Sequence, residues 1–154
     1  MKIEIDFKKL KQLCDDVMIR KFKDMKSSFK NIKGIKRNPI IYKVYRKDFG
    51  GFETGLTVIE PGSINKEFYM TKGHKHRKAR DEIYILIKGK GKLLVEKNKK
   101  IRVINLKKNK VYVVPKNSGH RLINIGKGKL EVFTLYSKDA TRGYDFKFTK
   151  RFFK

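Results

Sequence analysis

Residues 71–91 read TKGHKHRKARDEIYILIKGKG and hold two of the three histidines in the chain. Side chains two apart on a β-strand point to the same face, so His74 and His76 project together while Lys75 faces away. A basic turn follows. Glu82 then opens EIYILI, which reads as a strand. A carboxylate there meets the two imidazoles if its strand pairs with theirs. His120, in VYVVPKNSGHRLIN, completes the set from another strand. Three neutral imidazoles and one carboxylate form an N/O donor set suited to a divalent first-row metal, with one or two positions left for water or a ligand. Asp81 is a rival to Glu82. If the strand begins at Asp81, the two carboxylates point to opposite faces.

Outward from this stretch the pattern is of short strands. IIYKVYRK alternates, GLTVIEPG runs into a Pro-Gly turn, and EFYMTKGHKH, EIYILIKGKGKLLVEK, IRVINL, VYVVP, HRLINIGKGKLEVFTLY and YDFKFTKRFF follow, divided by Gly, Asn and Lys-rich turns. Towards the N-terminus the apolar residues Phe7, Leu10, Leu13, Val17, Met18, Phe22 and Met25 have mostly helical spacing, which predicts one amphipathic helix over residues 7–25. A basic connector, SSFKNIKGIKRNP, leads from it to the strands. The expected architecture is mainly β: an antiparallel β-barrel or jelly roll, with a small helical N-terminal segment. A single domain over residues 1–154 is expected, its first 40 residues being a helical extension. Phe146 and Phe148 fall on one face of a predicted edge strand at the C-terminus, packed on the barrel or against a second copy.

The chain has 154 residues, 41 Lys+Arg against 15 Asp+Glu, and a formal net charge of +26. Nine of the basic residues are Arg and 32 are Lys, and they are spread along the whole chain. A Lys-rich composition of this kind reads first as a compositional bias and next as steering of small anions. Nucleic-acid binding is not expected, because no recognition motif accompanies the charge. One cysteine, Cys14, has no internal partner, which fits a reducing compartment, and no apolar leader or membrane span is visible; a cytoplasmic setting is expected.

The histidine-bearing segments resemble the cupin superfamily. Its first motif has His-x-His, a later Glu, and a Gly separated from that Glu by six residues, as Glu82 and Gly89 are in EIYILIKG, which favours Glu82 over Asp81. The second motif is matched by Pro115, His120 and Asn124, with Asn109 and Asn117 standing where the motif has Gly. Asn is the other residue that takes positive φ readily, so these turns are expected to survive. A closer resemblance is to the archaeal cupin-type glucose-6-phosphate isomerases, block by block through YKVY, LTVIEPG, KEFYMTKGHKH, EIYILIKGKG, VYVVP, HRLINIG and LYSKDA. This resemblance implies interconversion of glucose 6-phosphate and fructose 6-phosphate, for which the chemistry offers proton transfer through a cis-enediolate or a metal-assisted hydride shift. It also implies one divalent ion per subunit, Fe(II) first and Mn, Ni or Zn after it, and a homodimer. The metal ligands implied are His74, His76, Glu82 and His120. Glu82 and Tyr84 are implied as catalytic, and Tyr42, Thr57, Thr71, Lys72, Gly73 and Tyr136 as substrate-binding. The chain departs from the family where KNSGH lacks a tyrosine before the histidine and where Arg142 replaces a histidine. Another cupin metalloenzyme, such as a dioxygenase or a different sugar isomerase, and a non-catalytic metal- or sugar-binding cupin are the other readings of the same residues.

Overall fold

The structure is a computed structural model that describes residues 4–78 and 80–154. It is mainly β. Thirteen strands are joined antiparallel throughout: β1 (Asp16–Lys21), β2 (Ile40–Asp48), β3 (Phe52–Ile59), β4 (Ser63–Ile64), β5 (Glu67–Phe68), β6 (His74–His76), β7 (Glu82–Lys88), β8 (Gly91–Lys97), β9 (Lys100–Asn105), β10 (Val111–Val114), β11 (Gly119–Asn124), β12 (Leu130–Ser137) and β13 (Arg142–Gly143). A six-stranded sheet runs β1-β2-β3-β12-β7-β10 and a five-stranded sheet runs β13-β6-β11-β8-β9, with β4 and β5 as a separate pair. The main apolar cluster draws on both large sheets: Tyr42, Val44, Ile59, Tyr84, Leu86 and Val132 from the first, Leu93, Val95 and Leu122 from the second.

Strand β7 shows the alternation that places the chemistry. Glu82, Tyr84 and Leu86 are buried while Ile83, Ile85 and Ile87 are half-buried on the opposite face. That second face is covered by the N-terminal segment. Leu10, in the short helix α1 (Leu10–Leu13), packs with Leu56, Val58 and Phe133, and the Phe7 ring meets Phe133 edge-on at 4.9 Å. With both faces covered, β3 is buried without interruption from Thr54 to Ile59.

The predicted helix over residues 7–25 is not what the chain forms. Only Leu10–Leu13 is α-helical; Asp16–Lys21 is strand β1, and Phe22–Ser28 is a 3-10 helix. Among the described residues 4–40, helix is confined to the short α1 and the 3-10 segment, a small N-terminal helical part and not one long helix. The β-branched Val17 and Ile19 stand two apart on the outer face of β1, and Met18 and Arg20 point inward. Pairing with β2, Asp16 opposite Arg46 through Arg20 opposite Tyr42, satisfies the strand backbone, and Asp16 grips the Arg46 guanidinium. The three-residue spacing of Phe22 and Met25, both buried, suits the tighter 3-10 turn.

Two further strands of the sequence reading are interrupted. EFYMTKGHKH is broken after Phe68. Met70 bridges Ile123 and His74 pairs with His120, so four steps on one side face three on the other: a bulge, with Gly73 at φ +73°. A Cβ on Gly73 would collide with the Phe148 ring and Arg121. The bulge aims both β6 histidines inward. The C-terminal YDFKFTKRFF is extended but forms no strand among the described residues beyond a bridge from Phe153 to Glu67. Its backbone is held by the buried Glu96 carboxylate, which accepts from the Thr149 and Lys150 amides at 3.1 and 3.2 Å. Phe146 and Phe148 do share a side, 4.9 Å apart, packed on the core, and the Arg121 guanidinium lies 4.1 Å over the Phe148 ring. No described helix is long and apolar enough to cross a membrane.

Candidate metal centre

Three imidazoles come from the five-stranded sheet, His74 and His76 from β6 and His120 from β11, and Glu82 comes from β7 in the facing sheet. The carboxylate thus reaches the histidines across the interior, not along a paired strand as the sequence had suggested. One ligand atom from each of the four side chains lies within 4.8 Å of all the others. Nε2 of His76 and of His120 each stand 3.0 Å from Glu82 Oε2, His74 Nε2 stands 3.8 Å from it, and the His74 and His76 Nε2 atoms are 2.9 Å apart. Lys75 is exposed, as the alternation requires.

The donor chemistry fits a cation. His120 Nδ1 donates to the Ser118 carbonyl at 3.1 Å, which turns Nε2 toward Glu82. Two acceptors 3.0 Å apart call for a proton or a metal ion between them. Burial pushes the His74 imidazole down to about 4, so it is neutral at pH 7, the state in which imidazole ligates. Burial pushes the Glu82 carboxyl up, but its contacts with His120, His74 and His76 outweigh this and hold it well below the ordinary range. Tyr84 is pushed well above the usual phenol value by burial and by the Glu82 charge, and it keeps its proton.

The cluster opens onto a cavity between the sheets. Tyr42, Thr57, Thr71, Gly73 and Tyr84 line it beside His74, Glu82 and His120. Burial pushes the Tyr42 hydroxyl up, and that hydroxyl lies 3.4 Å from the Lys72 amide. Thr71 Oγ1 already accepts the Leu122 amide at 3.0 Å. Two of the residues expected around a substrate stand apart from the lining. The Lys72 side chain belongs to a neighbouring cavity shared with Arg121 and Arg151, its ammonium 5.8 Å from the Tyr144 ring. Tyr136 is buried under the Arg142 guanidinium at 4.5 Å. Asp81 is turned out of the cluster and caps the Lys116 amide at 2.7 Å. Asn109 and Asn117 adopt φ of +59° and +63°, the left-handed turns expected of them.

Met18, Arg46, Thr134, Arg142 and Tyr144 also line the cavity and were not in the expected set. Met18 enters on β1, which a helical reading of residues 7–25 hides, and Arg46 enters from β2. Arg142 was visible in the sequence only as the residue standing where the resembled family has a histidine.

Comparison with known proteins gives a consistent picture. The family model described as "Glucose-6-phosphate isomerase (GPI)" matches residues 4–151. The chain is 34% identical over 138 residues to the glucose-6-phosphate isomerase of Pyrococcus abyssi, covering 82% of this chain and 73% of that one. It is 33% identical over 137 residues to that of Thermococcus litoralis, covering 82% and 72%. Among solved structures it is similar to oxalate decarboxylase from Bacillus subtilis, with a TM-score of 0.54 and 27% identity over 64% of this chain. The match spans 26% of that longer chain. The Lactobacillus farciminis oxalate decarboxylase matches with a TM-score of 0.55 at 24% identity, over 66% of this chain and 30% of that one, a likeness of fold. These are cupin-like proteins, in keeping with the mainly β, antiparallel fold, and the Bacillus subtilis enzyme is described with Mn(II) centres.

Proposed function

From the premise that this chain belongs to the glucose-6-phosphate isomerase family, we propose that it interconverts glucose 6-phosphate and fructose 6-phosphate at the His74–His76–Glu82–His120 centre. One observation carries the reading. Three ring nitrogens and one carboxylate converge, across two sheets, at the wall of a cavity whose lining includes the hydroxyls of Tyr42, Thr57, Thr71 and Tyr84, the Gly73 backbone and the arginines Arg46 and Arg142. The four side chains would hold a divalent ion, Fe(II) being the one the resemblance implies and Mn(II), Ni(II) and Zn(II) fitting the same donors. Such an ion, when bound, stabilises negative charge that develops on a substrate oxygen next to it.

The remaining chemistry belongs to the chain. Tyr42, Thr57, Thr71 and Gly73 suit the phosphate, because hydroxyls and a backbone amide donate to phosphate oxygens without a dedicated loop. Glu82, kept anionic, takes the proton from C2 of the aldose. The C2–H electron pair becomes the C1–C2 double bond as the carbonyl π pair moves onto O1, giving a cis-enediolate; the O2 proton passes to O1, the carbonyl reforms at C2, and the same carboxyl returns its proton to C1 to give the ketose. Tyr84, kept protonated one turn of the pleat along β7 on the same face, donates to a substrate oxygen. The buried cavity shields this exchange from bulk water. A homodimer is part of the proposal. Val111 and Val113, 62% and 61% exposed on the β10 edge, offer apolar surface for it.

A coupled assay of fructose 6-phosphate conversion tests the reading. Activity is expected in the protein as purified, loss of at least about 10²-fold after thorough chelation, and recovery on adding back Fe(II), Mn(II), Ni(II) or Zn(II). Activity indifferent to metal removal, or oxygen uptake with no isomerisation, contradicts it.

A further inference from the structure

We infer that Arg142 grips the reacting end of the substrate, holding the C1–C2 oxygens as they acquire charge, and does not hold the phosphate. This rests on the isomerase reading above. Arg142 opens β13 and pairs directly with His76 on β6, and opposed residues of an antiparallel pair project to the same face. Its guanidinium stacks 4.5 Å over the Tyr136 ring, and Tyr136 is in turn paired with Glu82 across β12 and β7. Two independent strand registers therefore bring this cation to the Glu82 end of the cavity, which it lines.

Of the phosphate-suited residues, Tyr42 marks the other end, whereas Gly73 adjoins His74. Tyr42 lies in the row of Ile59 and Leu130, whereas Glu82 lies in the row of Tyr136. From Leu130 to Tyr136 is six residues along β12, roughly 20 Å of strand. Long side chains narrow that gap to the scale of an extended sugar phosphate. A ligand with its phosphate at Tyr42 places its far carbons beside Arg142.

Charge balance separates the two arginines of the lining. Arg46 is neutralised by Asp16 through two nitrogens. Arg142 takes part in no ion pair among the described residues, although it is half-buried. The Glu82 charge acts on it from across the cavity without forming an ion pair, and an oxyanion arriving in the cavity gives the guanidinium a direct partner. A planar guanidinium presents paired N–H donors, which match two adjacent oxygens of an enediolate as they match a carboxylate.

The discriminating probes are two five-carbon phosphates, arabinonate 5-phosphate, whose carboxylate imitates the charged enediolate, and arabinitol 5-phosphate, which has a neutral alcohol there. Calorimetric binding to the metal-loaded wild type and to Arg142→Gln and Arg142→Lys is measured alongside kcat and KM. In Arg142→Gln, binding of the acid is expected to weaken about 10- to 100-fold and that of the alcohol less than about 3-fold. The kcat is expected to fall about 10²-fold with KM nearly unchanged, and Arg142→Lys to recover part of both losses. Equal weakening of both probes would assign Arg142 to the phosphate and overturn the inference, as would an acid-to-alcohol ratio unaltered by either substitution. Wild-type protein that binds neither compound overturns the isomerase reading, and this inference with it.

Discussion

Glu82→Gln is expected to lower turnover of fructose 6-phosphate by about 10²- to 10⁴-fold in protein that remains folded. The substitution preserves shape and removes only the charge and the basicity. In the wild type a buried carboxylate faces three imidazoles, with His76 and His120 nitrogens 3.0 Å from one oxygen. A carboxamide fills the same volume and can donate an N–H to the His120 lone pair, so the site keeps its packing. It has no basic oxygen to take a proton from carbon. Bound metal is to be measured in the same samples, because the loss has two sources that this separates. A variant that retains its ion and fails to turn over assigns the proton transfer to Glu82. A variant that loses both assigns Glu82 to holding the ion. Turnover within a few-fold of wild type contradicts both roles.

Asn124→Leu is expected to cost about 3 kcal/mol or more of stability, lowering the melting temperature by roughly 6–12 °C in a chain of this size. Asn124 is fully buried on the same face of β11 as His120. Its amide nitrogen donates to the carbonyls of Ile59, Glu60 and Gly128 at 3.0, 3.2 and 2.9 Å, and its amide oxygen accepts the Gly126 N–H at 2.9 Å. Leucine is close in volume but leaves four backbone groups short of a partner. These bonds also tie the five-stranded sheet to the end of β3 in the other, so the loss is felt where the sheets are held in register over the cavity. Urea denaturation checks the value. A change below about 0.5 kcal/mol would show that these bonds are replaced without cost.

The same residue illustrates what the sequence makes legible. Asn124, Asn109, Asn117 and the four centre residues sit at fixed spacings along strands and turns. Spacing carries their geometry: parity sets the face of His74 and His76, and the turn chemistry of Asn109 and Asn117 sets positive φ. The strands between residues 40 and 137 were legible because β7 and β2 alternate with a period of two. Residues 7–25 misled because a short helix, an edge strand and a 3-10 helix in succession place apolar groups at intervals that imitate one helix. What decides between them is the pairing of β1 with β2, a contact outside any local window. The C-terminal segment misled in the same way. Its alternating phenylalanines are real, but its amides go to the Glu96 side chain instead of a neighbouring strand. Met18 and Arg142 were out of reach for a related reason: one enters the cavity on the misread strand β1, and the other on a two-residue strand fixed only by its register with His76.

Metal binding by the stripped protein is the most direct test of the centre. Titration of the chelated wild type with Mn(II), followed by calorimetry, is expected to show saturable binding of one ion per chain, with that binding abolished or weakened at least about 10-fold in His120→Ala. Absence of saturable binding in the wild type, or binding of the same affinity in His120→Ala, would contradict it.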